Sequence, residues 1–231
     1  MRKQRGFTLI EIAIVLVIIG LLLGGVLKGQ ELITAARVRN LAAQLDGVKI
    51  AYLGFQDRYR SLPGDYADAQ AAANIPGAGS TATKGCVTAG SCGNGKIDPK
   101  AAEAESILAW HQLSRAGFIT GNYDGSGLDP TATNNPTNAF SGYLQLVNDA
   151  DYSVDTGNTA TAALNVKTGT NVPSPILAEL DRKIDDGFPN TGSLRFSPIW
   201  GGSTSTCLAG TAPVVYNATS DIKTCGSAQL Q

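Results

Sequence analysis

The 231 residues carry 18 Lys+Arg against 19 Asp+Glu, a formal net charge of -1. That balance excludes a nucleic-acid coat with a basic field over the whole molecule and a highly charged disordered tail. A single His also leaves little material for a His-based metal site or a His-dependent triad.

At roughly 100–200 residues per domain, the length fits one domain plus extras, or at most two small domains. The chain opens on MRKQRG and then FTLIEIAIVLVIIGLLLGGVLK. From Ile12 to Leu27 every residue is apolar or glycine. About 20 helical residues span the ~30 Å hydrocarbon core of a bilayer, so 7–27 is long enough to cross once. A secretory signal would end in a small-x-small exit, and none precedes Lys28. A plain anchor leaves Glu11 unexplained, because an acid within an apolar span costs about 2.5–3.5 kcal/mol on insertion scales.

Arg2-Lys3-Gln4-Arg5-Gly6 followed by Phe7-Thr8-Leu9-Ile10-Glu11 resembles the signal of the type IV prepilin family, which includes type IV pilins and the pseudopilins of type II secretion. A short basic leader ends in Gly, Phe follows, and Glu stands four residues later. The resemblance covers residues 1 to about 30. It implies cleavage after Gly6 by a prepilin peptidase, N-methylation of the new Phe7 amine, and retention of the apolar segment. It also implies that Glu11 pairs with the amine of a neighbouring subunit, since a buried charge is tolerable only when paired. The basic leader satisfies the positive-inside rule. Arg37 and Arg39 beyond the span weaken that argument, so orientation rests on the resemblance.

Past Leu27 the sequence stays helical in character. Val38, Leu41, Leu45, Val48, Tyr52, Phe55 and Tyr59 recur at spacings of three and four, an apolar stripe on one helix face. A coiled coil and a helix packed on its own domain both fit this stripe; the family implies the second, with the back half of the helix against a sheet. The spine would run about 80 Å at 1.5 Å per residue, and Pro63 would end it. Many pilins carry a proline in the first half of this spine. Here Lys28 stands at that place, and Gly20, Gly24, Gly25 and Gly29 cluster instead.

Residues 64–102 are Ala-, Gly-, Ser- and Thr-rich and predict a long loop. Ala101–Gly117 predicts a helix, 120–141 turns, and 142–147, 151–154 and 162–167 weak strands. Ser174-Pro175 offers an N-cap and a first-turn proline for a helix running to Gly187. Strands at 192–200 and 213–218 close the domain. The expected fold class is α+β and pilin-like: a long N-terminal helical spine, a small antiparallel sheet, long loops and accessory helices. The expected organisation is a cleaved leader at 1–6, a transmembrane and filament-core helix at 7–27, its amphipathic continuation at 28–60, and a globular domain at 61–231. The blocks WHQLSRAGFITGNYDG (110–125) and LDRKIDDGFPNTGSLRF (180–196) resemble a group of longer prepilin-like proteins, which favours a minor subunit.

The four cysteines, Cys86, Cys92, Cys207 and Cys225, predict two disulfides in an exported domain. Three connectivities exist, and proximity favours Cys86–Cys92 with Cys207–Cys225. Gly93–Asp98 is similar to the tail of a calcium loop. The first, third and twelfth positions of that loop would be Gly90, Cys92 and Ala101, so the EF-hand pattern fails. Asn122, Asp124, Ser126 and Asp129 form a second oxygen-rich turn, for which metal-free Asx turns and calcium are the two readings. No other cofactor is expected. No G-x-S-x-G, Walker or H-E-x-x-H motif occurs, and the expectation is a non-enzyme.

The function expected is a structural, minor subunit of a type IV pilus or type II secretion pseudopilus. The alternative is a filament-tip binding module, an adhesin or DNA-uptake subunit, motivated by the loops at 74–100 and 121–141. Expected partners are other pilin or pseudopilin subunits, the prepilin peptidase and methyltransferase, the inner-membrane assembly platform and membrane lipid. Nucleic acid is not expected, because those loops lack a Lys/Arg cluster. The expected location is the inner membrane, single-pass with the N-terminus cytoplasmic and the C-terminal domain periplasmic, and then the filament.

Overall fold

The computed structural model describes residues 8–75, 85–87, 92–99, 104–155, 157–198, 204–210, 213–219 and 225–231. The chain divides at Arg39/Asn40 into two units. The first holds the front of helix α1, which runs without a break over Leu9–Tyr59. Leu, Ile and Val crowd this stretch, and the glycine cluster does not interrupt it. Large side chains from Leu9 to Leu27 are exposed, Leu9 at 88% and Leu21 at 73%. A Cβ at Gly20, Gly24, Gly25 or Gly29 would meet nothing within 4 Å.

The second unit, residues 40–231, begins with the rest of α1. Leu41, Leu45, Val48, Tyr52 and Phe55 are buried, while Ile50 and Leu53 on other faces are exposed. The stripe of three-and-four spacing is therefore the core face of this half. Phe55 meets Tyr66 and Phe118 edge-on, at ring-centroid distances of 6.0 and 6.1 Å. The helix stops at Tyr59, before Pro63. Arg60 takes the left-handed backbone, φ 58°, that caps a helix C-terminus.

The long loop expected at 64–102 contains a short helix, α2 (Asp68–Asn74). α3 (Glu105–Arg115) follows, and every residue from Ile107 to Leu113 is buried, Trp110 completely. Residues 101–103 of the expected helix lie outside the described residues. β1 (Gln145–Asp149) and β2 (Ala163–Lys167) pair antiparallel with Gln145 opposite Lys167. The strand expected at 151–154 does not form. Tyr152 turns there, and its hydroxyl donates to Thr161 O at 2.6 Å.

α4 (Ser174–Ile184) begins one residue earlier than the N-cap expectation. Pro173 is its N-cap, and the Ser174 hydroxyl donates instead to Cys207 O at 2.6 Å. β3 (Leu194–Phe196), α5 (Thr204–Cys207), β4 (Leu208–Ala209), β5 (Val215–Tyr216) and β6 (Ser227–Leu230) complete the chain order. The main sheet is antiparallel in the order β1-β2-β6-β3. β5 pairs with β4 in a separate two-stranded ribbon, so 213–218 does not close the main sheet. α3 packs on β1, and α4 on β3 and β5. The result is a long N-terminal helix followed by a small antiparallel sheet with accessory helices, an α+β pilin-like layout.

Candidate functional site

The first candidate is the N-terminal segment. Gly6 and Phe7 lie outside the described residues. Thr8 and Glu11 begin α1 as a reciprocal pair. The Thr8 N–H and hydroxyl both donate to Glu11 Oε2, at 2.8 and 2.7 Å, and the Glu11 N–H points back to Thr8 Oγ1 at 3.4 Å. This is a capping box, whose T-x-x-E pattern satisfies two of the four N–H groups a helix start leaves open. The signal stands in the sequence at Thr8-Leu9-Ile10-Glu11, and a reading of Glu11 as an isolated charge misses it. Glu11 is exposed, and Oε1 has no partner among the described residues.

From this cap the apolar run continues with its side chains uncovered. It is the one helix among the described residues long and apolar enough to cross a membrane. Residues 1–27 match the prokaryotic N-terminal methylation motif. The chain carries a prepilin-type N-terminus. The motif supports a pilin-like or pseudopilin subunit, a structural rather than catalytic class, with subunit assembly and a processing peptidase. An apolar helix with this motif is consistent with membrane anchoring and filament assembly. No curated protein and no solved structure matches the chain.

The second candidate is the junction beyond the prepilin-type spine, where Leu62-Pro63-Gly64-Asp65-Tyr66 crosses the domain. Asp65 is 2% exposed. Its carboxylate accepts the N–H groups of Gly93, Asn94 and Gly95 at 2.5, 3.1 and 2.9 Å. Gly93 and Gly95 both have positive φ, which curls successive N–H groups into a concave anion nest. Burial pushes the Asp65 carboxyl up, against these three hydrogen bonds that favour the anion. The segment similar to a calcium loop therefore presents donors to an anion rather than oxygens to a cation.

Buried Glu105 holds the same loop from the other side, accepting the Asp98 N–H at 2.8 Å. Gln112 bridges the crossing segment to α3, with Gly64 N–H donating to Oε1 at 2.7 Å and Nε2 donating to Tyr66 O at 3.1 Å. Gly64 has φ 89°, and a Cβ there would lie 2.2 Å from Glu105 O. The Cys86–Cys92 disulfide ends one residue before this loop, and Cys207–Cys225 ties the C-terminal segment.

The oxygen-rich turn at 122–129 is filled from inside the chain. Asn134 Nδ2 donates to Ser126 O and Asp129 O, at 2.7 and 3.1 Å, and Asp124 Oδ1 accepts the Ser126 N–H as an Asx turn. His111 is buried, with Nδ1 2.5 Å from Tyr123 O.

Carboxylates gather instead at the end of α4, at Asp181, Asp185 and Asp186. Each one is engaged. Asp181 takes the Tyr216 hydroxyl and the Gly187 N–H, at 2.9 and 3.1 Å. Asp185 takes the N–H groups of Ser193 and Leu194, and Asp186 takes Phe188 N–H and Thr191 Oγ1. Burial raises Asp181 to about 6, opposed by the Tyr216 bond. Burial, and then the Asp181 charge, raise Tyr216. The Thr191 hydroxyl, followed by the Phe188 N–H, lowers Asp186.

Proposed function

We propose that this chain is a minor structural subunit of a type IV pilus or type II secretion pseudopilus. The observation that carries this is the methylation motif over residues 1–27, continued by an unbroken helix whose large apolar residues from Leu9 to Leu27 are exposed. In this reading residues 1–6 are a cytoplasmic leader, 7–27 the membrane and filament-core helix, 28–60 its amphipathic continuation, and 61–231 the exported domain. Cleavage after Gly6 removes three of 18 basic residues, leaving 15 against 19 acidic ones. It also exposes the Phe7 amine, which is then methylated.

The mechanism is mechanical. The processed subunit leaves the bilayer laterally, and its helix joins a bundle of like helices. Its ammonium enters the apolar core there, and Glu11 of a neighbouring subunit supplies the counter-charge. The assembly platform supplies the energy. Intact mass and N-terminal peptide mass spectrometry of the chain from membranes test the reading. The expected result is a chain starting at N-methylated Phe7; any other mature N-terminus overturns it.

A second reading, a filament-tip binding module, is favoured by one observation. Parts of the two loops marked in the sequence, Pro99 of the first and Leu128, Pro130 and Asn135 of the second, line one cavity. Leu128→Asp at its exposed rim should then reduce attachment of piliated cells at unchanged filament yield. Unchanged attachment would remove this second reading and leave the structural one.

A further inference from the structure

The cavity where those loops meet encloses about 150 Å³. Its floor comes from β1 and β2. Lys167 Nζ donates to Asp149 Oδ2 at 2.5 Å, with the two side chains only 4% and 11% exposed. An ammonium has three hydrogens to donate, and among the described residues the other two on Lys167 have no acceptor. Cross-strand from Lys167, Gln145 is 9% exposed and lines the cavity, and its side-chain amide has no hydrogen-bond partner among the described residues. Asn135 lines it too, its Nδ2 spent on Leu144 O at 2.7 Å and its Oδ1 turned away into the protein. Buried polar groups in proteins are otherwise almost always paired. Several unspent groups on one small cavity point to something that completes them.

The chemistry of the lining defines the class of ligand. Lys167 and Asp149 neutralise one another, and Asp151 at the edge leaves one negative charge, which disfavours an anion. The ammonium in the floor disfavours a metal cation. The unspent groups include both donors and acceptors, which matches hydroxyl groups, each of which does both. Pro99, Ile107, Pro130, Pro198 and Leu128 supply the apolar part of the lining, Leu128 being 59% exposed. At roughly 30 Å³ per water the space holds about five waters, the scale of one sugar ring. We infer that this cavity is a subsite for a neutral polyhydroxylated ring, one monosaccharide unit of a surface glycan. The inference rests on the binding-module reading and names its ligand.

The test is saturation-transfer NMR on the full chain in detergent micelles, with methyl glycosides of glucose, galactose, mannose and N-acetylglucosamine as probes. The expected result is millimolar binding of at least one glycoside, with a shift of the Gln145 side-chain amide resonance. Gln145→Leu should weaken it at least fivefold. Because Lys167→Met strands Asp149 and endangers the fold, Leu128→Ser at the exposed rim is the second variant, expected to weaken transfer without changing the thermal midpoint. Transfer to no glycoside, or equal transfer in both variants, overturns the inference and leaves a solvent crevice. If no glycoside binds while Leu128→Asp still reduces cell attachment, the ligand class falls and the binding-module reading stands. If attachment is also unchanged, both fall.

Discussion

Asp65 accepts the N–H of Gly95 at 2.9 Å across thirty residues of chain, on the same carboxylate that takes Gly93 and Asn94. This bond fastens the exit of the spine to the turn that directly follows the Cys86–Cys92 disulfide. Asp65→Ala would leave the Asn94 and Gly95 N–H groups without their acceptor in a part-buried place, while Gly93 N–H keeps the Asp65 backbone carbonyl at 3.1 Å. Each stranded buried group costs about 1–3 kcal/mol, tempered where water can enter. The expected loss is about 2–4 kcal/mol, with Asp65→Asn milder because one acceptor oxygen remains. Urea unfolding of the detergent-solubilised chain measures both; a loss below 1 kcal/mol for Asp65→Ala would mean that the nest contributes nothing specific.

A pH dependence follows from Asp181. Burial holds its folded-state value at about 6, above the ordinary 3.8, so protonation favours the folded chain. The resulting stabilisation is complete below about pH 4 and disappears as pH rises through 6, an amplitude of up to about 3 kcal/mol. Asp181→Asn should remove that slope. The quantity to measure is the stability difference between wild type and Asp181→Asn from pH 4 to 7.5, in which other carboxylates cancel. The variant should gain on the wild type as pH rises; a flat difference refutes the assignment.

Glu11→Gln separates the cap from the charge. Glutamine keeps an acceptor for Thr8, so the helix start survives, and processing at Gly6 should survive with it. What disappears is the counter-charge proposed for a neighbour's Phe7 ammonium. Breaking a buried pair from one side costs about 3–5 kcal/mol, hundreds- to thousands-fold in association. The ratio of sheared-filament to membrane-bound protein should drop sharply. Thr8→Val, which loosens the cap and spares the charge, should leave the ratio close to wild type. Equal ratios for Glu11→Gln and wild type would remove the pairing role.

The two disulfides differ in the chain they enclose, with sequence separations of 6 and 18. Chain entropy makes the longer loop worth about 3 kcal/mol and the shorter about 2.4 kcal/mol. The expectation is therefore a larger loss for Cys207→Ser/Cys225→Ser than for Cys86→Ser/Cys92→Ser. The reverse order in calorimetry would show that the short loop stabilises through the Asp65 nest rather than through the unfolded chain.

The elements legible in the sequence are those set by local periodicity. The back half of the spine and α4 each bury a face written at three-and-four spacing, α3 is a largely apolar run buried on all sides, and the T-x-x-E cap is local as well. What escaped is set by distant partners. β6 reads Ser-Ala-Gln-Leu, without a β-branched residue, and is a strand because β2 and β3 flank it. The segment at 213–218 is strand-like and pairs locally, with Leu208–Ala209, while the main sheet takes β6 instead. The nest at Gly93–Gly95 carries no signal for Asp65, because its partners lie 28 to 30 residues away. The cavity likewise joins Pro99, Leu128, Asn135 and Lys167, which no local window brings together.

The strand order β1-β2-β6-β3 has a consequence in time. β6 follows β2 by some sixty residues and β3 by some thirty, yet it stands between them. The β1–β2 hairpin can zip early, but one flank of β2 then carries unpaired backbone groups until β6 arrives. An open strand edge is a template for pairing with other chains. That waiting period is when wrong pairing threatens most. Sequestering the tail, or delaying it with a slow upstream segment, should therefore raise aggregation more than any single core substitution of equal cost in stability.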